Sequence, residues 1–344
     1  MTPLTVGVPC RDEGQDFSLF AGGLRGALRN LPAELPIEVL ICVNGSREGF
    51  ADQLASIVEV SGLSDSRVTF ITSPEGKLEA MKAIARNRVL QGYLAFVDSD
   101  VVLEANVLRR LWEVLETDSR CMISYGQPVP VFPRQPNLIH RLSRAHYALR
   151  ERAYHRPYFH GRAFMLREWF FDDPGQDRGI KPALVRRLKL QKGPLVDDIA
   201  MSLMAVAQWG TVAIREVREA NVYFDPPDDL RGLYAGALRV ALEIQRLDLL
   251  YPQHRRIMVS ILTKSWRKQG LSRFSWYLRA LHAAHRALDT TIKTTAQLHV
   301  RLVKHGILKV DTLWIRVPGT KSFARHRLAW LSFKRSPAKS PRKP

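Results

Sequence analysis

Two aspartates separated by one residue, Asp98 and Asp100, form the acidic group with the clearest chemical use. They follow the apolar run 92–97, which has the composition of a buried strand. Side chains two positions apart at the end of a strand point to the same side of a sheet. Their carboxylate oxygens are ligands that a divalent cation accepts while it also binds a diphosphate. The spacing therefore suits a nucleotide-sugar site, although acidic residues after a strand commonly form only a turn.

A second acidic pair, Asp197 and Asp198, comes about a hundred residues later. It begins an apolar-periodic helix that is expected to run to Trp209. Carboxylates at a helix start often cap free backbone amides and face the positive end of the helix dipole. The pair alone is therefore compatible with two interpretations, a helix cap or catalytic carboxylates.

The elements that must position these groups alternate regularly in the first half of the chain. Short β-rich runs are predicted at residues 4–8, 37–43, 68–72 and 93–97, and helices at residues 16–29, 50–60, 78–90 and 105–116. Repeated strand and helix units of this length predict a parallel sheet with helices on both faces. Ligands of such sheets bind at the carboxyl ends of the strands. The polar loops 9–14, 44–46, 73–77 and 98–100 should therefore lie at one edge.

The composition is that of a folded chain, with 344 residues, 46% of them hydrophobic and 25% charged. Cys10, Cys42 and Cys121 show no paired spacing, which predicts reduced core thiols and favours the cytoplasm. The N-terminus has no basic segment followed by an apolar core, and no run approaches the roughly 18 apolar residues of a membrane span. We therefore expect neither a signal peptide nor a transmembrane helix.

The net charge of +19 is confined to one end of the chain. Residues 1–250 contain 31 Lys and Arg against 31 Asp and Glu, whereas residues 251–344 contain 21 basic residues and only Asp289 and Asp311 as acids. Such a segregated charge attracts polyanions, which include anionic lipid, nucleic acid and an acidic acceptor.

Residues 228–305 are predicted to form successive amphipathic helices. Apolar stripes of this kind usually pack into a core, but the basic load and the interspersed Trp266, Trp276 and Trp314 also fit helices on an anionic membrane surface. The last stretch, 331–344, is rich in Lys, Arg, Pro and Ser and is expected to be a disordered basic tail.

Six short motifs occur in an order that resembles a family 2 glycosyltransferase with the GT-A fold, over roughly residues 3–242. They are Pro9-Cys10-Arg11-Asp12-Glu13, Asn44-Gly45-Ser46, Gly76-Lys77, Asp98-Ser99-Asp100, Gly161 and Asp197-Asp198. The chain departs from the family pattern at Asp12, where Asn is usual, and at Asn44, where an acid that contacts the nucleobase is usual. Of the family's Gln-x-x-Arg-Trp segment only Arg239 is present, which favours transfer of a single sugar over processive synthesis.

The resemblance implies an α/β fold, a GT-A-type Rossmann-like mostly parallel sheet flanked by helices, followed by a basic helical C-terminal region. It implies an inverting, metal-dependent glycosyltransferase with Asp198 as general base and Asp197 orienting the base or the acceptor. Mg²⁺ or Mn²⁺ would be bound by Asp100 and Asp98. The expected nucleotide-sugar-binding residues are Pro9, Asp12, Glu13, Asn44, Lys77, Asp98 and Arg239.

The expected organisation is a glycosyltransferase domain over residues 1–242, a basic amphipathic helical region over 243–330, and the tail 331–344. Residues 1–120 would bind the nucleotide sugar, with a UDP-sugar favoured, and residues 121–242 the hydroxyl acceptor, a lipid or lipid-linked glycan among the candidates. Residues 251–344 would contact an anionic membrane, which predicts a peripheral protein at the inner face of the cytoplasmic membrane.

Two alternatives remain open. One is a catalytically inactive GT-A-fold protein whose basic region binds nucleic acid or a partner. The other is a nucleotidyltransferase on a similar sheet, which is disfavoured because loop 9–14 has two acids where a Gly-rich basic phosphate loop would be expected.

Overall fold

The computed structural model describes residues 1–11, 17–46, 48–63, 67–150, 158–171, 182–188, 190, 197–262 and 275–309. The strands within these ranges are β1 Leu4–Cys10, β2 Ile37–Asn44, β3 Val68–Ser73, β4 Tyr93–Val97, β5 Val102–Leu103, β6 Ile123–Pro130, β7 Ala163–Leu166 and β8 Ile214–Phe224. The helices are α1 Phe17–Arg29, α2 Phe50–Val60, α3 Lys77–Asn87, α4 Val107–Thr117, α5 Leu138–Arg150, α6 Pro182–Arg187, α7 Asp197–Trp209, α8 Leu230–Leu250, α9 Arg255–Leu262 and α10 Trp276–Lys304.

The strands form one sheet in the order β3-β2-β1-β4-β7-β6-β8-β5. The first four are parallel, with β1 between β2 and β4. Strand β7 then runs antiparallel to both β4 and β6, while β6 and β8 are parallel. The predicted α/β fold with a mostly parallel sheet is confirmed.

Helices cover both faces of this sheet, because successive side chains of a buried strand point to opposite sides. One face buries Val6, Val8 and Val39 against α1, α2 and α4. The other buries Leu40, Leu94 and Phe96 against α3, α7 and α9. The apolar faces of these helices therefore fix their position relative to the strand ends. Cys10, Cys42 and Cys121 are free and buried, as predicted.

The C-terminal helices pack onto this body through a third apolar cluster. Leu238 and Leu242 of α8 contact Val300 of α10 and the segment that carries Leu188 and Leu190. Helix α10 also packs against α5. Helix α8 continues through residues 242 and 243, so the predicted limit between the first two regions lies inside a continuous helix. The predicted tail, 331–344, lies outside the described residues.

The start of each of the two long helices is capped by a side chain. Asp229 accepts a hydrogen bond from the Gly232 amide at 2.6 Å, and Ser275 accepts one from the Leu278 amide at 3.3 Å. Such caps satisfy amides that the helix itself leaves without a partner. In the described parts of the chain, no helix combines the length and apolar character needed to cross a membrane.

Candidate active site

The loops that follow the first three strands meet at the carboxyl edge of the sheet. Arg11, after β1, forms an ion pair of 2.7 Å with Glu75, after β3. Gly45, after β2, has a φ of +60°, and a Cβ at this position would lie 2.8 Å from the Glu75 Cβ. Only glycine accommodates both the backbone conformation and this close approach. Pro9 and Asn44 are buried at the ends of β1 and β2, beside these loops.

Lys77, the first residue of α3, connects three separate segments at the same edge. Its Nζ lies 2.6 Å from Oδ1 of Asp98 and 3.0 Å from Oδ2 of Asp197. The same ammonium donates a hydrogen bond of 2.9 Å to the carbonyl oxygen of Gly161. The two acidic motifs, about a hundred residues apart in the sequence, are therefore brought together around one cation.

Burial dominates the electrostatics of this cluster. It raises the pKa of Asp98 to about 7, with Asp100 and Asp197 adding to the rise and Lys77 opposing it. Burial also lowers the pKa of Lys77, but the charges of Asp197 and Asp98 outweigh it, and the net pKa lies above its usual range. The ammonium is therefore charged at neutral pH.

Asp198, the second residue of α7, is oriented by the chain segment that precedes β7. The Tyr158 hydroxyl donates to its Oδ2 at 3.1 Å, and the Gly161 amide donates to the same oxygen at 3.4 Å. Among the described residues, its Oδ1 is buried without a hydrogen-bond partner. Burial and the neighbouring Asp197 raise the pKa of Asp198 to about 6. These are the properties of a carboxylate that can accept a proton near neutral pH.

Gly161 allows the three charged groups to approach each other. A Cβ at this position would lie 2.9 Å from Asp197 Oδ2, 3.3 Å from Asp198 Cβ and 3.4 Å from Lys77 Nζ. A side chain there would displace at least one of these groups. The glycine is therefore part of the architecture of the cluster.

Residues 5–184 match the family described as Glycosyl transferase family 2, which is more than half of the chain. The chain belongs to glycosyl transferase family 2. The predicted class, a nucleotide-sugar glycosyltransferase, is confirmed at this level. The match ends before Asp197 and Asp198, so the position of that pair beside Asp98 is established by the fold alone.

Solved structures with the same fold include a mannosyltransferase from Pyrobaculum calidifontis in complex with GDP-Man and Mn²⁺. It is 17% identical, with 91% of this chain and 87% of that chain covered and a TM-score of 0.50. Another similar structure is glucosyl-3-phosphoglycerate synthase from Mycobacterium tuberculosis in complex with Mn²⁺, UDP and phosphoglyceric acid. It is 15% identical, with 73% and 79% of the two chains covered and a TM-score of 0.44. A search of curated proteins found no match.

The carboxylates expected to bind a divalent cation in this family 2 enzyme are Asp98 and Asp100. No group of three or more His, Cys, Asp or Glu residues within the described ranges could hold a metal by itself. Two carboxylates are sufficient for Mg²⁺, which is commonly coordinated by one or two protein carboxylates, with water and substrate phosphates as the other ligands. The Lys77 ammonium beside Asp98 shows that the position accepts a positive charge.

The remaining predicted residues fall into two groups. Asp12 and Glu13 lie outside the described residues. Arg239 is exposed on α8, and no hydrogen bond or ion pair within the described parts of the chain joins it to the cluster around Lys77. The sequence patterns gave no role to Tyr158, because its contact with Asp198 spans 40 residues and no local spacing indicates it.

Proposed function

We propose that this family 2 enzyme transfers one sugar from a nucleoside-diphosphate sugar to a hydroxyl acceptor, with inversion at the anomeric carbon and Asp198 as general base. The observation that carries the proposal is the environment of Asp198. One of its oxygens is held by Tyr158 and Gly161, and the other is buried without a protein partner in the described residues. That second oxygen is available to an acceptor hydroxyl.

The proposed reaction is a single displacement. The acceptor oxygen forms a bond to the anomeric carbon while the bond from that carbon to the diphosphate oxygen breaks, and the hydroxyl proton passes to Asp198. Because attack and departure occur on opposite sides of the carbon, the configuration inverts. Asp197 lies beside the base and is paired with Lys77, so it helps to fix the start of α7 and with it the Asp198 backbone.

The donor side of the proposed site is formed by Asp98, Asp100 and Lys77. A divalent cation bound there supplies positive charge to the leaving diphosphate. Lys77 provides a further positive charge within reach of the same edge. Pro9 and Asn44, buried at the ends of β1 and β2, are proposed to border the nucleoside.

The donors that we propose to test first are GDP- and UDP-sugars. The Pyrobaculum calidifontis mannosyltransferase, which has a similar fold, was solved with GDP-Man, and the family resemblance favours UDP. Asn44 would restrict the nucleobase of the donor less than an acidic residue would, because an amide both donates and accepts hydrogen bonds.

We further propose that the acceptor is a lipid or lipid-linked glycan, reached by a peripheral protein at the inner face of the cytoplasmic membrane. The support is the charge of the C-terminal helices. Exposed arginines on α9 and α10 are Arg255, Arg256, Arg279, Arg286 and Arg301. Trp276 and Tyr277, at the start of α10, are 74% and 52% exposed. Basic residues beside exposed aromatic rings are the combination that binds an anionic lipid surface.

The catalytic proposal is tested by measuring nucleoside-diphosphate release from GDP-mannose, UDP-glucose and a dTDP-sugar, with and without Mn²⁺. Asp198→Asn should lower turnover by about 10² to 10⁴-fold, the range for loss of a general base. Asp100→Ala should abolish stimulation by Mn²⁺. Asp289→Asn, on the far helix α10, serves as the matched control. If wild type releases no nucleotide and neither active-site variant differs from it in nucleotide binding, the inactive binding-protein alternative is correct.

A further inference from the structure

We propose that Lys77 acts as an internal cation that binds the donor carboxylate Asp98 to the acceptor-side carboxylate Asp197 when no donor is present, and that loading of metal and nucleotide displaces it from Asp98. The inference rests on the proposed function, because it assigns Asp98 to the metal–diphosphate complex. Because Lys77 must be displaced from Asp98, metal binding depends on the nucleotide.

The first argument is the set of oxygens that already surround the Lys77 ammonium. An ammonium has three N–H donors and no acceptor. Three oxygens lie within 3.0 Å of Nζ: the Gly161 carbonyl accepts a hydrogen bond, and the carboxylates of Asp98 and Asp197 form ion pairs with the ammonium. The charge of the ammonium is therefore already shared by two carboxylates. A diphosphate that contacts Lys77 must compete with both of them.

The second argument is competition for the same carboxylate. Oδ1 of Asp98 lies 2.6 Å from the ammonium, so a divalent cation on this oxygen would stand within a few ångströms of a second positive charge. Repulsion between like charges at such a separation is strong in a site of low dielectric. A metal ion that binds Asp98 therefore requires Lys77 to move away from that oxygen.

The third argument concerns where the displaced charge goes. Without a nucleotide, Lys77 would lose its ion pair with Asp98 and no other anion would replace that carboxylate. This loss opposes metal binding. A nucleoside diphosphate brings negative charge that can pair with both the metal and the released ammonium. Nucleotide and metal should therefore bind together, and neither Asp98 nor Lys77 is left as an unpaired charge at any stage.

The position of Lys77 also links the two halves of the site. Its contacts to Asp197 and to the Gly161 carbonyl lie on the acceptor side, next to Asp198. Movement of Lys77 on donor loading would change the contacts of the residue preceding the base. Lys77 is thus a positioning residue for the acceptor half before it becomes a contact of the donor.

The test is direct measurement of Mn²⁺ binding by the electron paramagnetic resonance signal of free Mn²⁺, with full-length protein, in the absence and presence of GDP or UDP. Removal of the internal cation in Lys77→Gln should tighten Mn²⁺ binding without nucleotide at least tenfold relative to wild type. Lys77→Arg, which keeps the charge, should not. Lys82→Gln is the matched control, because Lys82 lies on the same helix and pairs with Glu79 at 2.9 Å.

The outcomes separate this inference from the proposed function. Mn²⁺ binding by wild type with nucleotide, but no gain in Lys77→Gln without it, overturns the role of Lys77 and leaves metal-dependent transfer standing. A gain in Lys77→Gln together with no nucleotide-dependent binding in wild type supports competition between Lys77 and the metal, but it overturns the displacement of Lys77 by metal and nucleotide and, with it, metal-dependent transfer. If neither occurs, both are overturned.

A second measurement does not depend on the folding of Lys77→Gln. In ¹⁵N-lysine-labelled wild type, the Nζ resonance of Lys77, assigned by its loss in Lys77→Arg, should shift when Mg²⁺ and GDP or UDP are added together. Mg²⁺ alone at the same concentration should leave it in place. An unchanged resonance under saturation with both ligands overturns the displacement.

Discussion

At the scale of single residues, the surroundings of Asp198 determine the pH at which it can accept a proton. Burial and the charge of Asp197 raise its pKa to about 6, while Lys77, the Gly161 amide and the Tyr158 hydroxyl act in the opposite direction. A general base must be ionised, so activity is present above this pKa and is lost as the pH falls through it. The direction is that of a buried carboxylate rather than an exposed one.

The first prediction follows from this environment. Turnover at saturating donor should rise with pH to a plateau above about pH 7 and fall about tenfold per pH unit below the pKa of Asp198. Tyr158→Phe removes a hydrogen bond that stabilises the ionised carboxylate. The pH below which turnover falls should therefore increase by about one unit. Tyr277→Phe, an exposed tyrosine on α10, is the control. If turnover falls at the same pH in wild type and in Tyr158→Phe, Asp198 is not the titrating base.

The sequence indicates where a residue lies in the fold when that residue follows a strand or starts a helix. Asp98 and Asp100 follow β4, and Lys77 begins α3. The contact of Lys77 with Asp197 joins positions 120 residues apart, and it arises because β7 and α7 fold back against β4. No periodicity in the sequence encodes such a contact, so the bridging role of Lys77 could not be predicted.

At the scale of elements, the short segment before β7 carries groups that contact both acidic motifs. Its Gly161 amide binds Asp198, its Gly161 carbonyl binds Lys77, and the Arg162 carbonyl accepts a hydrogen bond from the Asp98 amide at 2.8 Å. The segment thus aligns the donor and acceptor halves through backbone groups. Backbone groups are the same in every residue type, which explains why sequence motifs do not reveal this role.

The second prediction belongs to the scale of elements and concerns the space at Gly161. Gly161→Ala should lower turnover at least tenfold, because the added Cβ would lie 2.9 Å from Asp197 Oδ2 and force the acidic pair or Lys77 to move. Gly236→Ala, on α8, is the control, since a Cβ there meets nothing within 4 Å. Both variants are compared by nucleotide release and by thermal unfolding. Wild-type turnover in a folded Gly161→Ala would contradict the tight packing of the cluster.

Elements in the first half of the chain were predictable because each has its own local period. Strands β1 to β4 alternate with helices α1 to α3, and β5 and α4 follow. Strand β8 was not predicted, because its exposed and buried residues, for example Arg215 and Val217, do not alternate strictly along its length. It pairs with β6 in two parts, with a register shift between Gly126 and Gln127. Its existence depends on that partner strand.

At the scale of the whole molecule, the distribution of charge separates a neutral catalytic body from a basic C-terminal part. Helix α10 has 29 residues, which corresponds to a length of about 43 Å. Its inner face is packed against α8 and α5, and its one acid, Asp289, is paired with Lys293 at 2.7 Å. The outer face of α10 is therefore a long surface of positive charge whose support by α8 and α5 keeps it in a fixed place on the protein.

The membrane proposal predicts that this face binds anionic vesicles. Arg279, Arg286 and Arg301 are exposed and are spaced at 7 and 15 residues, close to whole helical turns, so they lie on the same side of α10. Replacing all three with Gln should weaken binding to phosphatidylserine-containing vesicles by about 100-fold at low salt, since each basic residue near the surface contributes about 1 kcal/mol.

The matched control for this experiment neutralises an equal number of exposed arginines elsewhere on the protein. Arg109, Arg110 and Arg120 have side chains that are 51%, 51% and 74% exposed and lie on the neutral part of the chain. Their replacement with Gln should leave vesicle binding within about threefold of wild type. Binding should also fall as salt is raised, because screening shortens the range of surface charge. Equal loss in both triple variants, or equal binding of wild type to vesicles of phosphatidylcholine alone, would mean that overall charge or apolar contact, not the α10 face, holds the protein to lipid.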